Sequence, residues 1–221
     1  MPGSCNSGRD SFAIITFVKP AEVPDAKELR QAEAAWRAAA DTGDTQAMNL
    51  LGALLVRLGD LDAGEVWLRQ AADAGEKGAH RHLGRLFLIR GDHAAAEAAY
   101  REAVDRGDVR AGNALGNLLF EQDRKDDAET CWRWAADRGN ANAMNSLARA
   151  FRRRGVPALA QEWRHRAAKL GHPEAMYGLG QAHFQRNEIE AAEQWWTRAA
   201  DAGNAKAARY LTDLRDRQTQ D

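Results

Sequence analysis

The stretch Ala135-Ala-Asp-Arg-Gly-Asn-Ala-Asn-Ala-Met-Asn-Ser-Leu147 decides the fold, because versions of it recur six times along the chain. Its glycine returns every 32 residues without an insertion, and two alanine columns and one leucine column keep the same interval. The columns are Gly43, Gly75, Gly107, Gly139, Gly171 and Gly203; Ala39, Ala71, Ala103, Ala135, Ala167 and Ala199; Ala47, Ala79, Ala111, Ala143, Ala175 and Ala207; and Leu51, Leu83, Leu115, Leu147, Leu179 and Leu211. Agreement in phase over six copies predicts an array of stacked structural repeats.

Each 32-residue unit is predicted to form two amphipathic helices, which in the first full unit span about Thr45 to Leu58 and Leu61 to Asp73. Apolar residues recur along both at the spacing of a single helical face. The glycine column follows the second helix, where a left-handed residue closes the last turn. An Asp or Asn one residue later is a good N-cap for the next helix. Neither apolar stripe can be buried within its own helix, so the helical hairpins must stack.

The array is predicted to occupy residues 25–217, as an opening helix, five helical hairpins and a closing cap helix with a polar end. Residues 1–24 lie outside the periodicity and are predicted to be a partly disordered or extended N-terminal extension. Residues 218–221 are predicted to be a disordered C-terminal tail. The predicted fold class is all-α.

Four first helices share a motif of six residues that begins with alanine and ends with glycine. These segments are Ala47-Met-Asn-Leu-Leu-Gly52, Ala79-His-Arg-His-Leu-Gly84, Ala111-Gly-Asn-Ala-Leu-Gly116 and Ala175-Met-Tyr-Gly-Leu-Gly180. They resemble the first helix of tetratricopeptide (TPR) and Sel1-like repeats, and the Ala-Ala-Asp-x-Gly junction is closer to the Sel1-like branch. The 32-residue period is a variant, since a tetratricopeptide unit has about 34 residues. The resemblance implies a right-handed superhelical α-solenoid of stacked antiparallel hairpins, which serves as a protein-binding scaffold without activity of its own.

Composition and charge favour a protein of the cytoplasm. The formal net charge is −1, so no overall field attracts the chain to nucleic acid or to an anionic membrane. No apolar run approaches the roughly 20 residues that span a bilayer. The two cysteines, Cys5 and Cys131, are not expected to form a disulfide, which fits a reducing compartment.

No group of residues has the pattern of a catalytic or metal site. His80 and His82 are two residues apart and point to different sides of a helix, whereas helical metal pairs use i, i+4 spacing. The glycines at positions 52, 84, 116 and 180 lie within helices, where the backbone N–H groups are already bonded, so close helix packing is predicted instead of phosphate binding. We therefore expect no enzyme, no metal and no cofactor.

The polar face of the first helices is predicted to bind a partner. At 100° per residue, the columns that begin with Asn49 and Ala53 lie opposite the buried stripe centred on Leu51. In the family that the sequence resembles, this face lines the concave groove. The predicted partner-binding residues are Asn49, Arg81, Arg85, Asn113, Asn117, Phe120, Asn145, Arg149, Arg153, Tyr177 and Gln181. The alternative is a solvated face that binds nothing.

These residue types suit an extended, acidic peptide. Asparagine side chains can bond both the N–H and the C=O groups of a peptide backbone, and arginines can pair with its carboxylates. The backbone role is assigned to Asn49, Asn113, Asn117 and Asn145, and the acidic role to Arg81, Arg85, Arg149 and Arg153. The predicted function is a non-catalytic scaffold that holds such a segment of a partner protein, with no membrane contact.

Two alternatives stay open. From Arg133 to Lys169 nine basic residues accompany two acidic ones, a net charge of +7 that would suit a nucleic-acid or phosphate contact. The sequence pI of 6.6 argues against nucleic acid. Trp134 lies in an otherwise polar column, where it either stacks on Arg166 or provides a convex contact for a partner. The second alternative is a structural adaptor that self-associates through its ends or through the convex face that carries Trp134.

Overall fold

The computed structural model describes residues 26–218, with side chains for residues 29–214. The described residues form twelve α-helices and no strand. Helices α1 to α12 are Ala26–Asp41, Thr45–Leu58, Leu61–Asp73, Ala79–Ile89, His93–Asp105, Val109–Glu121, Lys125–Asp137, Ala141–Arg153, Pro157–Lys169, Pro173–Gln185, Ile189–Asp201 and Ala205–Gln218. The predicted all-α helical-repeat fold is confirmed. The predictions for residues 1–24 and for the rest of the tail after Gln218 lie outside the described residues.

The helix boundaries follow the predicted N-cap residues and turn glycines. Helices α2 and α3 have the predicted bounds, and α2 begins after Asp44, whose carboxylate accepts a hydrogen bond from the Ala47 N–H at 3.0 Å. Gly43 has φ +94°, in the left-handed region that a side chain disfavours. Helix α4 is an exception, because it begins at Ala79, two residues later than the repeat requires, and Gly78 before it provides no side-chain cap. The repeat is therefore regular in sequence and locally shifted in structure.

The chain divides into two compact units, residues 26–106 with helices α1–α5 and residues 107–218 with helices α6–α12. Within each unit, every helix packs against the next one along the chain. Each unit is described separately below, and the single array over residues 25–217 stays a prediction.

Close contact at the mid-helix glycines builds the core of each hairpin. A Cβ atom added to Gly116 of α6 would lie 2.5 Å from the Trp132 ring of α7. In the same way, Gly84 of α4 lies against the ring of Tyr100 in α5. The predicted packing role of these glycines is confirmed, at a helix-propensity cost of about 0.5–1 kcal/mol for each.

Candidate partner-binding site

The predicted binding residues are distributed over both units. Unit 1 contains Asn49, Arg81 and Arg85, and unit 2 contains Asn113, Asn117, Phe120, Asn145, Arg149, Arg153, Tyr177 and Gln181.

Asn49 is not available to a peptide. It is 7% exposed, and a Cβ atom added to Gly78 would lie 2.8 Å from its Nδ2. The segment that precedes the shifted helix α4 covers it, so the prediction of an open amide at this position is wrong. Val56 on the same helix is also buried, at 6% exposed, and packs against Gly64.

Arg81 and Arg85 lie on α4 near the buried ring of Tyr100. Burial raises the pKa of the Tyr100 hydroxyl, and the positive charges of Arg85 and Arg81 act in the opposite direction. The Arg81 Nη2 is 3.1 Å from the His82 Nε2, while Arg85 is exposed. Unit 1 thus presents a small basic surface on one helix.

Unit 2 brings its predicted residues into two cavities. The first, the Phe120 cavity, has a volume of about 180 Å³ and lies among α6, α7 and α8. It is lined by Asn117, Phe120, Glu121, Trp132, Ser146, Arg149, Ala150 and Arg153. The second, the Arg164 cavity, has a volume of about 560 Å³. It is lined by Asn145, Arg149, Arg152, Arg164, Glu174, Tyr177, Gly178, Gln181, Gly203, Asn204, Ala205 and Lys206. Arg149 lines both cavities, so they are neighbours on one surface.

The Phe120 cavity has aromatic and cationic walls. The ring centroids of Phe120 and Trp132 are 5.4 Å apart, and the Arg153 guanidinium carbon lies 5.4 Å from the Phe120 centroid. Trp132 Nε1 donates a hydrogen bond to Asn117 Oδ1 at 3.1 Å. This bond uses the amide oxygen of Asn117, so a peptide would meet its N–H groups. Asn113 lines neither cavity and accepts a hydrogen bond from the Ser146 hydroxyl at 3.3 Å.

In the Arg164 cavity, Tyr177 and Gln181 hold each other in place. The Gln181 amide donates to the Tyr177 hydroxyl at 2.6 Å. The rings of Tyr177 and Tyr210 lie 5.8 Å apart. Burial, followed by the neighbouring Tyr210, raises the pKa of Tyr177. The Tyr177 hydroxyl is therefore a neutral hydrogen-bonding group on this wall.

The basic segment from Arg133 to Lys169 does not form one uniform patch. Five of its nine cations are engaged by unit 2 itself: Arg133 and Arg154 with Glu129, Arg138 over Trp134, Arg153 over Phe120, and Arg166 over Trp163. Four have no ion pair or ring contact with the side chains of residues 29–214: Arg149, Arg152, Arg164 and Lys169. The three arginines of this second group all line the Arg164 cavity.

Trp134 is stabilised within its own hairpin. Its ring packs on α6, where a Cβ atom added to Gly112 would lie 2.8 Å from Cζ3. The cation above the ring is Arg138, at 4.4 Å from the centroid, and not the predicted Arg166, which lies over Trp163. Because Trp134 is half-buried and covered by Arg138, its use as a convex contact stays a prediction with less support.

Arg164 is the main residue that the sequence reasoning missed. It occupies the column of the buried aromatic residues Trp132 and Trp196, and Ala148 replaces the paired glycine in the same repeat. The sequence signal for it is that the glycine column and the aromatic column depart from their usual residues in the same repeat. His172 was also missed. Its Nδ1 accepts a hydrogen bond from the Ala175 N–H at 3.2 Å and caps α10, as the predicted caps do elsewhere.

The described part of the chain contains no candidate metal site and no candidate membrane span. Within it, no group of three or more His, Cys, Asp or Glu residues is arranged to hold a metal ion. None of its helices combines the length and apolar character that crossing a bilayer requires.

Comparison with known proteins identifies the family. A family model described as "Tetratricopeptide repeat" matches residues 68–111, 113–163 and 156–207. The chain belongs to the tetratricopeptide repeat family. Such repeats generally bind protein or peptide partners, which supports the predicted role as a protein-interaction scaffold. A search of curated protein sequences gave no significant match.

Several solved structures share this TPR fold. A Sel1 repeat protein from Oxalobacter formigenes is 25% identical, with a TM-score of 0.66 over 80% of each chain. Pseudomonas aeruginosa PilF is 22% identical, with a TM-score of 0.62 over 79% of this chain and 86% of its own. YrrB, described as a TPR protein with an unusual peptide-binding site, is 16% identical, with a TM-score of 0.50 over 82% of this chain and all of its own. The likeness to Sel1-like repeats predicted from the junction is confirmed.

Proposed function

We propose that this TPR protein is a non-catalytic interaction module that holds an extended, acidic peptide segment of a partner on the surface formed by the two cavities of unit 2. One observation carries the proposal. Seven of the eight predicted residues of unit 2 line two cavities that share Arg149, and three arginines of that surface, Arg149, Arg152 and Arg164, have no carboxylate partner among the described side chains.

The cavity walls divide the recognition of such a peptide between backbone and side chains. The amides of Asn117, Asn145 and Gln181 can donate to backbone carbonyl groups. Arg149 stands between the cavities, where it can pair with an acidic side chain of the peptide. The ring of Phe120 offers an apolar contact beside it. A segment bound across both cavities would use all of these groups at once.

The basic surface of Arg81 and Arg85 is a separate, secondary contact of unit 1 in this proposal. The peptide-binding site reported for YrrB supports a peptide ligand in general, although it does not identify the residues. The proposed setting is the cytoplasm, a reducing compartment that suits a chain whose two cysteines are not expected to pair.

A direct test uses a fluorescein-labelled peptide of alternating Glu and Gly residues, with anisotropy as the readout. Charge-assisted hydrogen bonds are worth about 1.5–3 kcal/mol, so Arg149→Ala/Arg153→Ala should weaken binding by about tenfold or more. The matched control is Arg133→Ala/Arg138→Ala, which removes the same charge from side chains that line neither cavity.

Three results would contradict the proposal. In the first, the Glu/Gly peptide fails to bind or binds no better than a Lys/Gly peptide. In the second, the two double variants lose affinity equally, which would indicate a general charge effect. In the third, single-stranded RNA binds more tightly, with an affinity that falls steeply as salt increases, as expected for phosphate contacts.

A further inference from the structure

Arg164 interrupts a core column of the repeat. The same column holds Trp132 in the preceding hairpin and Trp196 in the following one, at 4% and 1% exposed. Each of these rings rests on a mid-helix glycine of its own hairpin. In the hairpin between them, Ala148 replaces that glycine and Arg164 replaces the aromatic ring. The two substitutions together remove an aromatic core contact and put a guanidinium group in its place.

The Arg164 side chain extends to helix α10 of the next hairpin. A Cβ atom added to Gly178 would lie 2.8 Å from the Arg164 Nε and 3.1 Å from its Cδ, so the missing side chain of Gly178 makes room for the arginine. The other repeats have larger residues in this column, namely Leu50, His82, Ala114, Ser146 and Tyr210. The glycine and the arginine therefore form a matched pair on the wall of the Arg164 cavity.

The charge of Arg164 is not balanced by an ion pair with any described side chain. Among the described side chains, no carboxylate forms an ion pair with Arg164, Arg149 or Arg152. Burial, followed by the positive charge of Arg152, lowers the pKa of Arg164. A half-buried cation without a partner is costly, and an anion beside it would remove that cost.

The opposite wall adds to the positive field. Lys206 lies in the first turn of α12, where the backbone N–H groups have no partner within the helix and the helix dipole is positive. Among the described residues that line the cavity, Glu174 supplies the sole carboxylate, and it lies 3.5 Å from the His172 Nδ1. Four cationic side chains and one anionic side chain leave an excess of three positive charges.

We propose that the Arg164 cavity is a carboxylate-binding subsite that takes two neighbouring acidic side chains of a bound peptide. Arg164 presents a planar fork of donors that matches one carboxylate, while Arg149 and Arg152 lie within the same cavity for the second. The inference rests on the proposed function, since it names the group that the peptide must carry. It predicts that a peptide with two acidic side chains close together binds better than one with a single acidic side chain.

The first experiment measures the subsite without the full peptide. The chain is labelled with [¹⁵N]arginine, and the Arg164 Nε–Hε resonance is assigned by its loss in Arg164→Met. N-acetyl-Glu-Glu-amide should shift this resonance, whereas N-acetyl-Gln-Gln-amide, which has the same shape without the charge, should not. An equal shift with both probes, or none with the Glu probe, would overturn the inference.

The second experiment measures the contribution of Arg164 to peptide binding. Arg164→Met should weaken binding of the labelled Glu/Gly peptide by about tenfold. The control Arg166→Met, with the same charge change on the same helix outside the cavity, should bind as the wild type does. Gly178→Ala keeps every charge but displaces the arginine, so it should also weaken binding.

The outcomes separate this inference from the proposed function. Unchanged binding by Arg164→Met, when the wild type binds the peptide, overturns the subsite and leaves the scaffold role. A wild type that does not bind the Glu/Gly peptide overturns the proposed function, and the dipeptide shift at Arg164 still decides the subsite. A phosphoserine peptide that binds more tightly through Arg164 than the Glu peptide would overturn its assignment to carboxylates.

Discussion

Two neighbouring hairpins of unit 2 have the same backbone plan but differ at one facing pair of core positions. In the hairpin of α6 and α7, Gly116 lies against the buried ring of Trp132. In the hairpin of α8 and α9, Ala148 and Arg164 stand at the same positions, and the arginine points to a cavity. The first hairpin gains stability from its aromatic core. The second gives up that contact and gains a charged group that can recognise a ligand.

The largest expected effect is on the core column. Trp132→Ala removes a fully packed ring, so we expect the free energy of unfolding to fall by about 3–5 kcal/mol. Arg164→Ala removes a half-buried charge without a partner, so the loss should be no more than about 1 kcal/mol. Urea unfolding followed by circular dichroism checks both variants. Equal losses would show that the two hairpins have equivalent cores.

A smaller effect is expected from adding one methyl group in each hairpin environment. In Gly116→Ala the new Cβ meets the rigid, buried ring of Trp132, and we expect a loss of about 1–3 kcal/mol. In Gly178→Ala the new Cβ meets the flexible end of Arg164, which can move. Alanine also gains about 0.5–1 kcal/mol over glycine within a helix, so this variant should not lose stability. The check is the urea midpoint of unfolding, measured for both variants in parallel. A large loss of stability in Gly178→Ala would contradict the comparison.

The smallest effect concerns the junctions on either side of the α8–α9 hairpin. Helix α8 is capped by Asn140, whereas α10 is capped by His172, whose Nδ1 must be unprotonated to accept the Ala175 N–H. Burial lowers the pKa of His172, although Glu174 acts in the opposite direction. The folded state then binds fewer protons than the unfolded state, so this cap contributes its full stability above the ordinary value of 6.5 and loses it as the pH falls further.

His172→Asn should remove this part of the pH dependence, because asparagine is an equally good cap and does not titrate. Between pH 7 and pH 5 we expect the wild type to lose up to about 1 kcal/mol more than the variant. His80 and His165, whose pKa values are also lowered by burial, contribute equally in both proteins. Identical pH profiles of the unfolding free energy would show that the histidine cap is not the titrating group.

The sequence predicted whatever the repeat itself determines. The 32-residue periodicity alone predicted the helices, the left-handed glycines and the packing of Gly116 on its partner helix. What it missed depends on side-chain contacts that the repeat pattern does not specify. Asn49 is buried because the segment before the late start of α4 covers it, and Trp134 packs against α6 at Gly112 with Arg138 over its ring. Helical periodicity predicts neither of these contacts.

The site was predicted in part for the same reason. The polar columns of the first helices do line the two cavities of unit 2, because helical periodicity sets their direction. Arg164 lies on a second helix in a core column, where periodicity predicts a buried apolar residue. Its direction depends on the space beside Gly178, which only the three-dimensional structure shows.

The most direct test of this account restores the repeat pattern in the divergent hairpin with Ala148→Gly/Arg164→Trp. A new tryptophan over a new glycine should pack as Trp132 packs over Gly116. The decisive measurement is the dissociation constant for the labelled Glu/Gly peptide, taken on protein whose urea unfolding is recorded in parallel. The account predicts unchanged or greater stability with binding about tenfold weaker. Undiminished binding by the restored hairpin would contradict it.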